Sequence, residues 1–356
     1  MKSWFEVSKS GLGKQAEEQG KGRLVGELVQ NSLDEEGVTK IAVTLALVPG
    51  AGVADLSVED DSAQGFRSLA DAYTMFAESY KRSNPEQRGR FNIGEKFVLA
   101  VCERASIATT TGTVLFDPDQ GRIEKPDEKR ERGSVFQDRI SMTTQEFTEV
   151  SDYLRSLLLP PGIVVTFNGE RLIPRTPIQT FPASLETVVI GENGTMRPTV
   201  RKTEVGLFEV FPGEVAHIYE LGLPVVETGD KWHINVGQKV PLNKDRNNVK
   251  PAYLKAVRTQ VLNAVYDRLT EEDANADWVR QASSDPNCSE EAIKKVLTLR
   301  FGEKFAGFDP NDKEVGKKWV SEGGVLVYGP MLSPQEWKNT KKAGAIQSAG
   351  KLRPSA

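Results

Sequence analysis

Histidine and cysteine are scarce, with two of each in 356 residues. A structural zinc site draws on about four Cys or His side chains, so a His/Cys zinc centre is not expected. Two cysteines make no disulfide framework, and a reducing cytoplasm is the expected location. Cys102 ends an apolar run and should pack as a small hydrophobe. Cys288 lies in a polar stretch. No apolar run is long enough to span a bilayer. The opening MKSWFEVSKSGLGKQ has no apolar core of signal-peptide length, so no leader is expected. Neither sign of charge dominates. Lys and Arg total 46 against 50 Asp and Glu, a net charge of −4. The whole chain therefore exerts no general pull on nucleic acid, although a local basic patch stays open.

What is present suits ordinary cores. Apolar residues make up 38% of the chain, and its length predicts two or three domains. Residues 21–36 place apolar side chains at 24, 25, 28, 29 and 33, which is helical spacing, with Gly37 as a stop. Residues 39–48 alternate as a strand, and 53–58 read as its hairpin partner. A helix is predicted over 66–80, a polar loop over 81–94 and a helix over 95–104. A Thr-rich hairpin follows at 105–116, then an exposed charged loop at 117–132 and a strand within GSVFQDRISM. Residues 143–159 form a helix ended by Pro160-Pro161-Gly162. Strands dominate 162–240, and 250–269 form an amphipathic helix with proline in its first turn.

The chemistry gathers in the first hundred residues. Glu27, Asn31 and Asp34 are spaced four and three apart, so they share one helix face. The helix is otherwise apolar, and a buried polar stripe needs partners. Mg-ATP is one candidate, since Asn31 offers an amide oxygen to a hard cation and Glu27 could deprotonate water. A polar face turned to water is the other. VEDDSAQGF, 58–66, ends a strand in two acids and a small-residue loop. A carboxylate there can accept the amine of adenine, and Gly65 lets backbone approach the base. An acidic turn is the alternative. RGRFNIGEK, 88–96, is a Gly-spaced loop that opens a helix, where backbone N–H groups can cradle phosphate. Lys81, Arg88, Arg90 and Lys96 add positive charge.

These three motifs occur in order within 70 residues, and together they resemble the Bergerat ATP-binding fold. That fold is shared by the gyrase B subunit, the topoisomerase VI B subunit, MORC proteins, MutL, the heat-shock chaperone and histidine kinases, the GHKL superfamily. GELVQNSLDE is similar to the family's N-box. The resemblance implies Glu27 as general base, Asn31 as magnesium ligand and Asp34 as a second polar contact. RGRFNIGEK resembles the second glycine box, so Gly89, Arg90, Phe91, Asn92, Ile93, Gly94 and Lys96 would meet phosphate, with Asn92 where glycine is usual. The first glycine box departs further from D-x-G-x-G. Strand registry matches Asp60, the preferred alignment because registry fixes which carboxylate points into the pocket, and counting back from Gly65 matches Asp61. RGSVF resembles the family's Gly-Thr strand, so Ser134 would share a water with the adenine-contacting aspartate.

Residues 180–270 resemble, more faintly, the transducer domain of the gyrase, MutL and topoisomerase branch. There a lysine before a helix reaches the γ-phosphate, which points to Lys244 first and Lys239 second. A solvated basic loop is the alternative. The expected architecture is α/β. A two-layer Bergerat sandwich spans 1–175, a transducer-like α+β domain spans 180–270, a small C-terminal region spans 271–340, and a disordered Lys-, Gly- and Ser-rich tail spans 341–356. The expected function is Mg-dependent ATP hydrolysis that closes the lid at 81–94 and changes a dimer or a domain angle, as a clamp on nucleic acid or protein. Trp4, Phe5 and Val7 would dock on the chain's own sheet or exchange onto a second subunit in an ATP-dependent homodimer. A chaperone-like ATPase, an ATP sensor without hydrolysis and a histidine-kinase-like phosphotransferase are the rival readings.

Overall fold

The structure is a computed structural model that describes residues 8–65, 68–74, 94–190, 196–243 and 248–352. Helix α1, Lys9–Glu18, opens it. Ser8 caps it by accepting the Gly11 N–H, a start signal of the usual N-cap kind. Helix α2 spans Lys21–Leu33. Strands β1, Lys40–Val48, and β2, Val53–Asp60, form the predicted hairpin. After a 3-10 turn at Leu69–Ala72 come α3, Gly94–Val101, and β3, Cys102–Thr109. Strands β4, Gly112–Asp117, β5, Gly121–Lys125, and β6, Val135–Ser141, follow. Helix α4, Thr144–Ser156, begins in a Thr143–Glu146 capping box. Strands β7, Val164–Phe167, and β8, Glu170–Arg171, complete an eight-stranded mixed sheet ordered β5-β4-β3-β6-β2-β1-β7-β8.

Alternation decides which face of this sheet is buried. Ile41, Val43 and Leu45 of β1 and Ala54, Leu56 and Val58 of β2 all point into one core with Val25, Val29, Val98 and Leu154 of the helices. Successive strand residues face opposite sides, so the same parity carries Asp60 inward at the end of β2. Tyr153 of α4 packs closely on α2 at Gly22 and Gly26. A Cβ at Gly26 would come within 2.5 Å of its ring, so the bare backbone of α2 is what lets the two helices approach.

Strands β9, Gln179–Ile190, β10, Met196–Phe208, β11, His217–Glu220, β12, Leu223–Glu227, and β13, His233–Val236, make a second sheet ordered β12-β11-β13-β10-β9. Helix α5, Pro251–Val265, packs on it. Helices α6, Glu271–Asn275, α7, Asp277–Ser283, and α8, Glu290–Phe301, extend the same core. A parallel pair, β14, Phe305–Gly307, and β15, Val325–Val327, brackets α9, Lys313–Ser321. Helices α10, Pro334–Lys342, and α11, Ala349–Leu352, close the described chain. None of the described helices is long and apolar enough to cross a membrane.

The hairpin of β11 and β12 joins the two sheets. The Leu158 N–H donates to Gly222 O at 2.9 Å, and the Tyr219 hydroxyl donates to Ser156 O at 3.1 Å. Gly222 has φ +92, and a Cβ there would fall 2.2 Å from Leu158 O. Leu223 is buried in the first core.

Several elements differ from expectation. Residues 117–132, read as a charged loop, contain β5, which pairs with β4 along Thr113–Lys125. Asp117 Oδ1 accepts the N–H groups of Asp119 and Gln120 and turns the chain back, so the charge density hid a hairpin. The helix predicted over 95–104 ends at Val101. The helix predicted over 66–80 is a 3-10 turn as far as it is described. Helix α1 carried too weak an apolar pattern to be foreseen. Residues 341–352, read as the start of a disordered tail, hold the end of α10 and all of α11, with Ala343 and Ala349 buried. Composition there concealed small apolar anchors.

Candidate functional site

A recess of about 420 Å³, counting its open mouth, lies where α2 crosses β2, β3 and β6. Leu28, Val58, Ile107 and Phe136 give it apolar walls. Asn31, Ser32, Glu35, Asp60 and Ser134 supply its polar groups. A mostly apolar cleft with a few converging polar groups is the ordinary form of a small-molecule site.

Asp60 is 4% exposed. Its Oδ1 accepts the Ser62 N–H at 3.0 Å and the Ser62 hydroxyl at 2.6 Å. The Ser134 backbone N–H also faces this carboxylate and helps to hold its charge. Burial raises its pKa above the ordinary carboxylate value, and the bonds from Ser62 and from the Ser134 backbone oppose that rise. Asp61 is used differently. It accepts the Thr39 N–H at 2.8 Å, the Thr39 hydroxyl at 2.5 Å and the Lys40 N–H at 2.8 Å. Both of its oxygens therefore clamp the start of β1. The β2 pleat separates the two carboxylates, one into the recess and one onto the sheet's edge.

The loop after Asp60 is held tightly. The Asp60 N–H donates to Ser134 O, and the Gly133 N–H donates to Ser62 O at 2.8 Å. Gly133 has φ +66, and a Cβ there would fall 2.0 Å from Asp60 O. Only glycine fits that approach and that backbone conformation. Gly65 is buried against Thr109 and Ser134, whose hydroxyls would lie 1.9 and 2.8 Å from a Cβ. Its N–H donates to the Thr110 hydroxyl at 3.0 Å.

Among the sequence-predicted residues, the recess brings together Asn31, Asp60 and Ser134, with Gly65 beside them. Glu27 and Asp34 are half-buried on α2 but do not line it. Asp34 is the C-cap of that helix. Gly94 begins α3. Lys96 is 4% exposed, and its ammonium donates to Asp71 O, so it braces the 3-10 turn. Lys239 is 2% exposed. Lys81, Gly89, Arg90, Phe91, Asn92, Ile93 and Lys244 lie outside the described residues, as do Trp4, Phe5 and Val7. Sequence reasoning missed Ser32, Glu35 and the apolar walls, Val135 among them. Ser32 and Glu35 sit one and four places after Asn31. The walls come from four elements, and only the sheet register unites them.

No protein-family model matches the sequence, and no curated protein matches it. Among solved structures, the chain is similar to one titled as the N-terminal domain of a DNA repair protein. The TM-score is 0.45 and the identity 12%, over 73% of this chain and 98% of that one. A likeness at this level fixes neither a fold family nor an activity.

Proposed function

We propose that the chain is a Mg-dependent ATPase whose first sheet and helices form a Bergerat-type nucleotide site of the GHKL kind. The supporting observation is Asp60: a buried carboxylate at the end of β2 that lines a largely apolar recess, with its Oδ1 held by Ser62. In this reading an adenine amine donates to that carboxylate, and the ring lies against Leu28, Val58, Ile107 and Phe136. In this reading Asp60 contacts adenine and Asp61 is structural.

The residues fit Mg-ATP by their chemistry. Asn31 reaches the same recess with an amide, and magnesium takes a single protein oxygen together with phosphates and water. A bound magnesium ion would supply positive charge to offset that of the phosphates. Glu27, one helical turn before Asn31, positions and deprotonates the attacking water. The second sheet with α5 acts as the transducer, and Lys244 is the lysine this reading requires at the γ-phosphate. The output is an ATP-dependent homodimer or change of domain angle, working as a clamp on nucleic acid or protein.

Titration calorimetry with a non-hydrolysable Mg-ATP analogue tests the site. Wild type and Asp61→Asn should both bind, with Asp61→Asn less stable, and Asp60→Asn should not. At a hundredfold ligand excess over Kd the wild type should also gain about 2.7 kcal/mol in unfolding free energy. Binding that survives in Asp60→Asn and vanishes in Asp61→Asn would move the adenine contact by one residue. No binding by the wild type would remove the reading.

A further inference from the structure

Residues 305–352 carry a surface that the nucleotide site leaves unexplained. Strands β14 and β15 run parallel, with Gly307 opposite Val327, so both leave the sheet at one end. The next residues are Phe308 and Tyr328. Their rings lie 4.8 Å apart with 33° between their planes. They are 37% and 42% exposed. Met331, 41% exposed, adjoins them and accepts the Tyr328 N–H on its sulfur. Aromatic faces left in water forfeit the free energy that burial would give them.

Trp337 of α10, half-buried with one side packed on the second core, borders this surface. Its indole N–H donates to Gly329 O at 2.9 Å, which fixes the ring beside the segment that bears Tyr328. One turn further, Lys341 Nζ stands 5.9 Å from the Trp337 ring centroid. Lys338, Lys341 and Lys342 are exposed, and none of them forms an ion pair among the described residues. The carboxylate that follows Phe308, Asp309, is turned to accept the Asn311 N–H. Positive charge thus lies on the α10 side of the rings.

We propose that Phe308, Tyr328 and Trp337, with Lys338, Lys341 and Lys342, form a binding surface for single-stranded nucleic acid. Unpaired bases stack on the rings, and the phosphates run along α10. Every base has a π-face and every phosphate attracts lysine, so the surface reads no sequence. Duplex buries its base faces and offers only phosphate. An acidic peptide matches the lysines but leaves the paired rings without a role. The surface uses no residue of the recess under α2, and the proposal stands whether or not ATP binds there.

Fluorescence anisotropy with a short labelled oligothymidylate is the test. The full chain should bind it at low salt, and binding should weaken as salt rises. The double variant Phe308→Ala, Tyr328→Ala should lose about ten- to a hundredfold in affinity, the range expected for losing base stacking. The triple variant Lys338→Ala, Lys341→Ala, Lys342→Ala leaves the rings in place. It should flatten the slope of log affinity against log salt by about 2, at roughly 0.7 per phosphate contact on a single strand. Lys317→Ala, whose lysine pairs with Glu314, should bind like wild type. Asp60→Asn should also bind normally, which separates this surface from the nucleotide site. No binding at low salt, or equal binding by wild type and both variants, overturns the proposal. Preference for a labelled polyglutamate peptide over the oligonucleotide overturns it in favour of an acidic protein partner.

Discussion

Replacing Asp138 with leucine should stabilise the protein at neutral pH and flatten its pH dependence. Asp138 stands inside the first sheet, opposite Leu56 on one side and Ala105 on the other. It is 7% exposed. The Cys102 thiol lies 3.1 Å from its Oδ2, and its buried Oδ1 has no partner among the described residues. Burial pushes its pKa up to about 7, and the Cys102 thiol opposes the rise. The sign follows from proton counting. Between the ordinary value of 3.8 and about 7 the folded chain keeps this proton while the unfolded chain releases it. Stability therefore falls as pH rises through that window. The slope is about 1.4 kcal/mol per pH unit, so about 4 kcal/mol is lost by neutrality. Leucine has nearly the same shape and no charge, and the Cys102 thiol keeps Val98 O as an acceptor at 2.9 Å. Asparagine is a poorer probe, because a buried amide without a partner costs about 1–3 kcal/mol. Urea unfolding followed by circular dichroism, across acid to slightly alkaline pH, measures the effect. The gap between variant and wild type should widen by a few kcal/mol from low to neutral pH. Parallel curves would refute the argument, because every other titrating group is common to both proteins.

Three further outcomes follow from the site and the second sheet. Glu27→Ala should keep ATP affinity within a few-fold and slow steady-state hydrolysis by about 10²–10⁴-fold; unchanged turnover would assign the base elsewhere. Gly133→Ala must relieve a 2.0 Å approach to Asp60 O at φ +66, so it should lower the melting temperature and abolish nucleotide-induced stabilisation; a wild-type thermal shift would show that the loop yields. Arg175, with help from His233, holds the Glu214 pKa down to about 2. That stability is complete above the ordinary value of 4.5 and lost as pH falls toward 2, so Glu214→Gln should cost about 2 kcal/mol at neutral pH and flatten the acid limb of the unfolding curve; an unaltered acid limb would count against the ion pair.

Local signals were legible in the sequence where one period governs one element. The spacing of Leu24, Val25, Leu28 and Val29 specified α2, and alternation specified β1 and β2. Strand parity also favoured Asp60 over Asp61 for the recess, and the two carboxylates do face different ways. Contacts between distant segments were not legible. Ile107 and Phe136 join the recess only through the β3–β6 register, which no local pattern states. The fate of Lys96 and Lys239 was hidden for a related reason. Both are long cations that sequence places at the surface, and the fold satisfies them inside. The β5 strand and the ordered stretch 341–352 show the opposite bias, since polar composition was read as loop where short apolar anchors sufficed.

The mating of Tyr153 with the bare face of α2 has a mechanical consequence. Tyr153 belongs to α4, and the last turn of α4 holds Ser156, whose carbonyl accepts the Tyr219 hydroxyl. Two residues on, Leu158 is pinned to Gly222 with no room for a Cβ between them. The recess, α2, α4 and the β11–β12 tip thus form one train of parts in direct contact, and close-packed interiors transmit displacement because they have little free volume to absorb it. A displacement of α2 therefore has a continuous path of packed groups to the β11–β12 tip, while β9 lies at the opposite edge of the second sheet.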